Sequence, residues 1–548
     1  MTRHIVEPVI LSRLDQAFAQ FLMQRSRLQK AQAKVFERIV ARLSYAQSQG
    51  HSCISVSDTE ADLLIASGLV DTAGSGPLVL EERQLYLQRY WQYEQQLARK
   101  IQQLIGDKQE CTLDLSLVES YFPGSLAVDW QKEAAKSALL NAVTLITGGP
   151  GTGKTTTVVK ILALLQALAE RPLSIALAAP TGKAAMRLQE SIGHNKQALP
   201  CSDAIRDLIP ETVQTLHRLL GSRPLSPYFK YNADLCLPYD VVVIDEVSMI
   251  DLPLMSKLLS ALQVGTRLIL LGDKEQLASV ETGSVLADLV LALPQYTQEL
   301  KVSYRFTGQI KQFAEAINQQ QAEEAWALLN AAGEEVSLLA DADLIDYIVA
   351  QQLGYLSLIQ KGADFVACYA AFSTFQVLCA VRKGAYGVLE INRRVAEQLH
   401  ERRLINSSAE WYAGRPIMIT QNDATLQLYN GDIGLCLQDA ASHGQLRVFF
   451  LSPAGAVRKY LPARLPHCET VFAMTIHKSQ GSEFDEVLLV LPEKVNPILT
   501  KELLYTGITR AKKTLKIHAT QAVFAETLAR KIERHSGLAQ RISKMLAI

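Results

Sequence analysis

The residues whose types and spacing most directly dictate a chemistry are Gly148-Gly149-Pro150-Gly151-Thr152-Gly153-Lys154-Thr155. They fit G-x-x-x-x-G-K-[ST], in which glycines let backbone N–H groups curl around phosphate oxygens and a helix start adds partial positive charge. Lys154 is placed to reach the β- and γ-phosphates, and the Thr155 hydroxyl to coordinate Mg²⁺. The run Val241-Val242-Val243-Ile244 then ends in Asp245-Glu246. A buried strand would deliver Asp245 to hold Mg²⁺ directly or through water, and Glu246 to polarise an attacking water. A water-activating glutamate favours hydrolysis over transfer to a small acceptor.

Gln276 sits in Gly272-Asp273-Lys274-Glu275-Gln276-Leu277. Its uncharged amide can hydrogen-bond a γ-phosphate or its water and so register whether phosphate is present. Arg305, in Ser303-Tyr304-Arg305-Phe306, and Arg510, in Tyr505-Thr506-Gly507-Ile508-Thr509-Arg510, are late cations. Brought against the γ-phosphate from another domain, such a cation speeds hydrolysis roughly a thousandfold or more. Either arginine alone reads as a surface salt bridge; after the upstream motifs, the catalytic reading prevails. Gly507, three residues before Arg510, gives the backbone there extra freedom.

These groups need elements to hold them. Apolar runs at 145–147, 173–179, 239–244 and 267–271 read as buried parallel strands, each followed by polar or glycine-rich residues and a helical pattern. That βα alternation predicts a doubly wound sheet with ligands at the strand C-terminal ends. A second α/β region begins after residue 301, with a strand expected at 365–371. Residues 405–470 turn β-like, which fits a small inserted barrel. The proline- and aromatic-rich stretch 221–238 reads as an inserted hairpin or loop, either a strand-separating pin or an aromatic contact. Residues 1–112 read as helix-rich. Tyr90, Tyr93, Leu97, Ile101 and Leu104 recur at helical spacing there, either a core stripe or a docking face for a partner.

Composition narrows the class. The 548 residues suggest three to four domains at about 150 residues each. With 55 basic and 55 acidic residues the net charge is zero, so any nucleic-acid contact must come from a local patch. None of the eight cysteines forms a C-x-x-C pair, which fits a reduced, cytoplasmic chain. The longest apolar candidates are broken by Lys160, Asp273 or Asp288, so no membrane span is expected.

Taken in order, these motifs resemble those of the superfamily 1 helicases. The resemblance rests on Trp130-Gln131, the phosphate loop, Ala179-Pro180-Thr181-Gly182-Lys183, residues 215–221, Asp245-Glu246, 272–277, 303–306, 475–484 and 505–512. It runs from about residue 120 to the end. More narrowly, the chain is similar to the alpha subunits of bacterial exodeoxyribonuclease V complexes.

That resemblance implies an α/β fold with two RecA-like P-loop domains, at 113–300 and at 301–404 with 471–548. An SH3-like β-barrel at 405–470 and a helical partner-docking domain at 1–112 complete it. It implies an ATP- and Mg²⁺-dependent DNA helicase moving 5′ to 3′ on single strands. Its partners would be single-stranded and duplex-end DNA and RecB-like and RecC-like subunits in a heterotrimer, with the nuclease in a partner. By the family pattern Gln131 contacts adenine, and Gly148, Gly149, Pro150, Gly151, Thr152, Gly153, Lys154, Thr155 and Thr156 cradle the phosphates. Thr155 and Asp245 hold the metal, Glu246 the water, and Glu483 the ribose. Gln276, Arg305 and Arg510 face the γ-phosphate.

Strand contacts fall on Thr181, Lys183, Thr215, His217, Thr475, His477 and Ser479. Read physically, such residues at strand ends suit phosphate contacts, and equally suit caps and loop hydrogen bonds. Two rivals stand beside this reading. One is a free-standing 5′ to 3′ helicase; the other is a nucleotide-switched P-loop binding module, which has no need of Glu246, Gln276 and Arg510 together.

Overall fold

The structure is a computed structural model and describes residues 11–547 apart from 108–113, 124–128, 224–225, 280, 305–307, 332, 424 and 453–454. Helices Arg13–Met23, Lys30–Ser48 and Asp58–Ala66 open the chain. They accompany a small sheet of β1 (Cys53–Ser55), β2 (Val70–Asp71), β3 (Leu78–Glu81) and β4 (Gln84–Leu87), in the order β1-β4-β3-β2. The N-terminal region is helix-rich, as expected, and also carries this small sheet. Strands of two to four residues are too short to leave a periodic signal. Phe36, Ile39, Leu64, Leu78 and Leu85 give this region its own core.

The next helix, Gln88–Gly106, carries the apolar stripe. Tyr90, Leu97, Ile101 and Leu104 are buried, against the first parallel sheet, so the stripe is core and not a free docking face. That sheet contains β5 (Val143–Thr147), β6 (Ile175–Ala179), β7 (Gln214–Thr215), β8 (Val241–Ile244), β9 (Arg267–Gly272) and β10 (Thr297–Glu299). Its order is β10-β5-β9-β8-β6-β7 and every pairing is parallel.

All residues of β5, β6, β8 and β9 are buried because both faces are covered. Leu145, Ile244 and Leu270 meet helices Gln88–Gly106, Leu252–Ser260 and Val285–Ala292. Ile146, Val243 and Leu271 meet helices Trp130–Leu140, Lys154–Leu168 and Gly182–Gln197. Each such side chain contributes about 1.5–3 kcal/mol by leaving water.

Strands β11 (Val336–Leu338) and β12 (Phe375–Cys379) begin the second parallel sheet. The strand expected at 365–371 is instead helix Phe365–Phe372. An apolar run of that length does not distinguish helix from strand. The deciding signal is Asp364, whose side chain accepts Ala367 N–H as an N-cap.

The chain then leaves for β13 (Pro416–Ile419), β14 (Ile433–Asp439), β15 (Gln445–Leu451), β16 (Val457–Tyr460) and β17 (Cys468–Thr470). It returns with β18 (Ala473–Thr475), β19 (Phe484–Val490) and β20 (Ala511–His518), completing the order β11-β20-β19-β12-β18. The five excursion strands form an antiparallel sheet ordered β16-β15-β14-β13-β17. Among the described residues no ladder joins β16 to β17, so closure into the expected barrel is not shown.

The tail also departs from expectation. Helix Leu538–Leu546 buries Leu538 and Ile542 in the core of the first domain, not the second. An amphipathic helix goes where an apolar face is uncovered, and here that face is presented by helices Gln88–Gly106 and Val285–Ala292. Among the described residues no helix is long and apolar enough to cross a membrane.

Candidate nucleotide cleft and strand-contact surface

Strand β5 ends at Thr147 and the phosphate loop follows, leading into helix Lys154–Leu168. Gly153 has φ +82°, and a Cβ there would collide with the Gln131 amide. Glycine is therefore favoured by conformation, and the close approach brings the Gln131 amide against the loop. The Gln131 amide donates to Thr152 O at 3.3 Å. Lys154 Nζ donates to Gly148 O and Gly149 O at 2.6 and 3.0 Å, holding the loop curled. Thr156 donates to Asn195 Oδ1 at 2.9 Å and so faces helix Gly182–Gln197.

A cleft of about 770 Å³ opens in front of the loop. Gln131, Pro150, Gly151, Gly153, Lys154, Thr155, Thr156, Asp245, Glu246, Gln276, Glu483 and Arg510 all line it. Gly148, Gly149 and Thr152 lie along a second cavity behind the loop. Arg305 lies outside the described residues.

Two acids stand at the end of β8. Burial, and then the neighbouring Glu246, push the Asp245 carboxyl up to about 6. Glu246 adopts φ +52°, a left-handed conformation that costs a non-glycine residue of order 1 kcal/mol or more. Its N–H donates to Asp245 Oδ1 at 2.9 Å. Paired half-buried acids and the Thr155 hydroxyl offer hard oxygen donors, and a divalent cation would relieve the charge that desolvation penalises. The residues fit Mg²⁺.

The folded-state value of Asp245 lies above the ordinary 3.8. Its contribution to stability is therefore complete below about pH 4 and lost as pH rises through about 6. Asp245→Asn is expected to raise the melting temperature by a few degrees at pH 8 and not at pH 4, while ATP turnover falls at least a hundredfold. Thermal melts at the two pH values, without metal, check the first part; equal shifts at both would show that Asp245 is not held up by burial.

Across the cleft, Arg510 is 2% exposed. It donates to Thr506 O at 3.0 Å, Ser482 O at 3.1 Å and Gln276 Oε1 at 2.8 Å. Burial lowers its pKa, opposed by Glu246 and Asp273. Gln276 also donates to Asp273 Oδ2 at 3.0 Å, so both ends of its amide are fixed. Helix Lys501–Ile508 sits so close to β19 that a Cβ at Gly507 would come 2.6 Å from Leu489 Cδ1. Gly507 therefore seats the helix tightly, and Arg510 with it; the freedom expected there is absent.

Two cleft residues escape a reading by motif. Arg187 lines the cleft and pairs with Glu483 of the other motor domain. It lies one helical turn after Lys183, on the same face, which is the signal that could have found it. Tyr304 also lines the cleft, its N–H donating to Gly151 O at 2.8 Å.

The expected strand contacts occupy strand ends. Thr181, Thr215 and Thr475 each cap the helix that follows, accepting N–H from Ala184, Arg218 and Lys478. A capping hydroxyl that accepts still has its own O–H to donate, so cap and phosphate contact are compatible. Burial pushes the Lys183 ammonium down to about 8, with Asp432 of the antiparallel domain as its counter-charge. Burial likewise lowers the pKa of His477.

His217 is exposed, its ring edge-on to Phe229 at 5.7 Å. Ser479 does not join this surface: it is fully buried and donates to Ile476 O at 2.7 Å. In the insert Ser222 bridges Phe229 in antiparallel sense, making a hairpin whose Tyr228 is exposed. The antiparallel domain leans on the same surface, with Arg218 4.9 Å over the Tyr429 ring.

Three family models match in chain order. They are "RecBCD enzyme subunit RecD, N-terminal domain" at residues 7–116, "AAA domain" at 131–282 and "UvrD-like helicase C-terminal domain" at 470–517. RecBCD enzyme subunit RecD of Haemophilus influenzae is 36% identical over 535 residues, covering 86% of this chain and 82% of that one. The subunit of the same name from Mycobacterium tuberculosis H37Rv is 39% identical over 515 residues, covering 91% and 87%. The chain belongs to the RecD family. A further relative, the ATP-dependent RecD2 DNA helicase of Deinococcus radiodurans, is 32% identical over 403 residues. There the match covers 73% of this chain but 50% of the relative.

Proposed function

We propose that this chain is the ATP-hydrolysing DNA helicase subunit of a RecBCD-type complex, moving 5′ to 3′ along single strands at double-strand breaks. The observation that carries the reading is Arg510 of the second motor domain meeting Gln276 of the first at 2.8 Å across the cleft. A cation delivered by one domain to the other's phosphate sensor couples hydrolysis to domain movement. Membership of the RecD family supports the same assignment.

In this reading the phosphate loop and Lys154 hold the triphosphate, and Gln131 meets the adenine. Thr155 and Asp245 hold Mg²⁺, which when bound neutralises phosphate charge. Glu246, set by its left-handed backbone, orients the attacking water. Arg305 and Arg510 meet the charge that develops on the γ-phosphate, and Glu483 takes the ribose once released from Arg187. Thr181, Lys183, Thr215, His217, Thr475 and His477 carry the strand by its phosphates, which binds without reading sequence. RecB-like and RecC-like subunits would be its cytoplasmic partners, one of them supplying the nuclease.

Strand displacement by the full-length chain tests polarity, using duplexes with a 5′ or a 3′ single-stranded tail, ATP and Mg²⁺. Unwinding of the 5′-tailed duplex alone is expected. Unwinding of the 3′-tailed duplex alone would overturn the polarity.

A further inference from the structure

One ion pair, buried at its lysine and half-buried at its glutamate, joins the two motor domains outside the residues assigned so far. Lys501 is 4% exposed, and its ammonium lies 2.5 Å from Glu275 Oε2. The position is costly for a cation. Lys501 opens helix Lys501–Ile508 directly after its cap Thr500, where the helix's partial positive charge disfavours it. Burial also strips the ammonium of water, a loss that only a close counter-charge offsets. An apolar side chain of similar length would fill the site without either cost, so packing alone does not call for a lysine.

Its geometry does. Glu275 precedes Gln276 on the turn at 273–277, and the same helix grips that turn at other points. Leu277 N–H donates to Thr506 Oγ1 at 2.9 Å, and Arg510, two residues past the helix, donates to Gln276 Oε1 at 2.8 Å. Gln480 adds a bond to Leu277 O at 3.3 Å. On the first domain's side Asp273 accepts from Glu275 N–H and from the Gln276 amide, each at 3.0 Å. The turn is thus held between two domains, with the charged pair at one end and the Gln276–Arg510 contact at the other.

We infer that Lys501 and Glu275 are positioning residues for ATP hydrolysis. The pair ties the Gln276 turn to the helix leading to Arg510, so that the glutamine and the arginine travel together when the second domain moves. The inference rests on the reading that Gln276 and Arg510 face the γ-phosphate. Neither Lys501 nor Glu275 lines the cleft; losing the pair lets the turn relax toward its own domain and Gln276 lose its aim. A displacement of about 1 Å in such a group can cost a hundredfold in rate.

The test compares full-length chains in oligo(dT)-stimulated ATP turnover and in thermal melts. Lys501→Met and Glu275→Gln are each expected to lower kcat about tenfold or more while KM for ATP stays within about twofold. The melting temperature of Lys501→Met should be unchanged or higher. Reversing the pair, with Glu275→Lys and Lys501→Glu together, should bring kcat back to within about threefold of the unchanged chain. Should the reversed pair not fold, Lys501→Arg keeps the charge and is expected to retain most of the turnover. A merely structural pair would lower the melting temperature and leave kcat per folded chain unchanged, and that result overturns the inference. Gln276→Ala, run in parallel, separates the levels. Slow turnover with Gln276→Ala and full turnover with Lys501→Met removes the positioning role alone; full turnover with both removes the γ-phosphate assignment beneath it.

Discussion

ATP turnover by the Lys154→Gln chain is expected to fall at least a thousandfold, with the melting temperature unchanged to within a few degrees. The size follows from where the charge sits. Lys154 begins helix Lys154–Leu168 and, without nucleotide, donates to two carbonyls of its own loop. In the proposed complex the same ammonium meets the β- and γ-oxygens, in a cleft where removing one fixed donor costs about 3–4 kcal/mol of barrier and removing its unit charge adds to that. The fold is spared because helix Lys154–Leu168 is held by Val158, Ile161, Leu162 and Leu165 in the sheet core. A glutamine amide can also keep one loop bond. Steady-state ATP hydrolysis with oligo(dT), alongside a thermal melt, checks both halves. Undiminished turnover would remove the phosphate site from this loop.

Arg510→Ala should match that loss through a different route, with turnover down about 10³–10⁵-fold and nucleotide binding changed less than tenfold. Two of its three bonds, to Thr506 O and Ser482 O, fix the guanidinium fork within its own domain, and the third reaches Gln276. Lysine cannot reproduce a fork of that shape, so Arg510→Lys should lose at least a hundredfold as well. Unlike the Lys154 variant, Arg510→Ala leaves buried acceptors unpaired, at about 1–3 kcal/mol for each, and its melting temperature should drop. Single-turnover hydrolysis and binding of a fluorescent ADP analogue separate chemistry from affinity. Turnover within tenfold of the unchanged chain would take Arg510 out of the hydrolytic step.

Much of the cleft was legible before any coordinates because its parts are local. A phosphate loop needs consecutive glycines, a lysine and a hydroxyl between a strand and a helix, and all of that lies within residues 143–168. The Asp245-Glu246 pair is read the same way, from one apolar strand and the residues that end it. Helix Phe365–Phe372 was misread as strand because its apolar run carries no period, and Asp364 alone marked its start. Ser479 was assigned to the strand surface by motif, but its hydroxyl is spent on the turn that the motif itself builds.

The sequence alone determined the chemistry available to this chain: the phosphate loop, the acids at the end of β8, the amide at Gln276 and the arginine at 510. It also determined that buried parallel strands would carry them, since runs apolar at every position survive only with both faces covered. Tertiary structure decided which groups meet across domains. Arg187 pairs with Glu483, Lys501 with Glu275, and Arg510 with Gln276, each joining segments more than two hundred residues apart. It also decided that helices Gln88–Gly106 and Leu538–Leu546, far apart in the chain, pack together in the core of the first domain. The physical reason is common to all of these. Residue type and local spacing specify what a group can do and which element carries it, whereas contacts between distant segments follow from how apolar faces pack, and no local pattern records that.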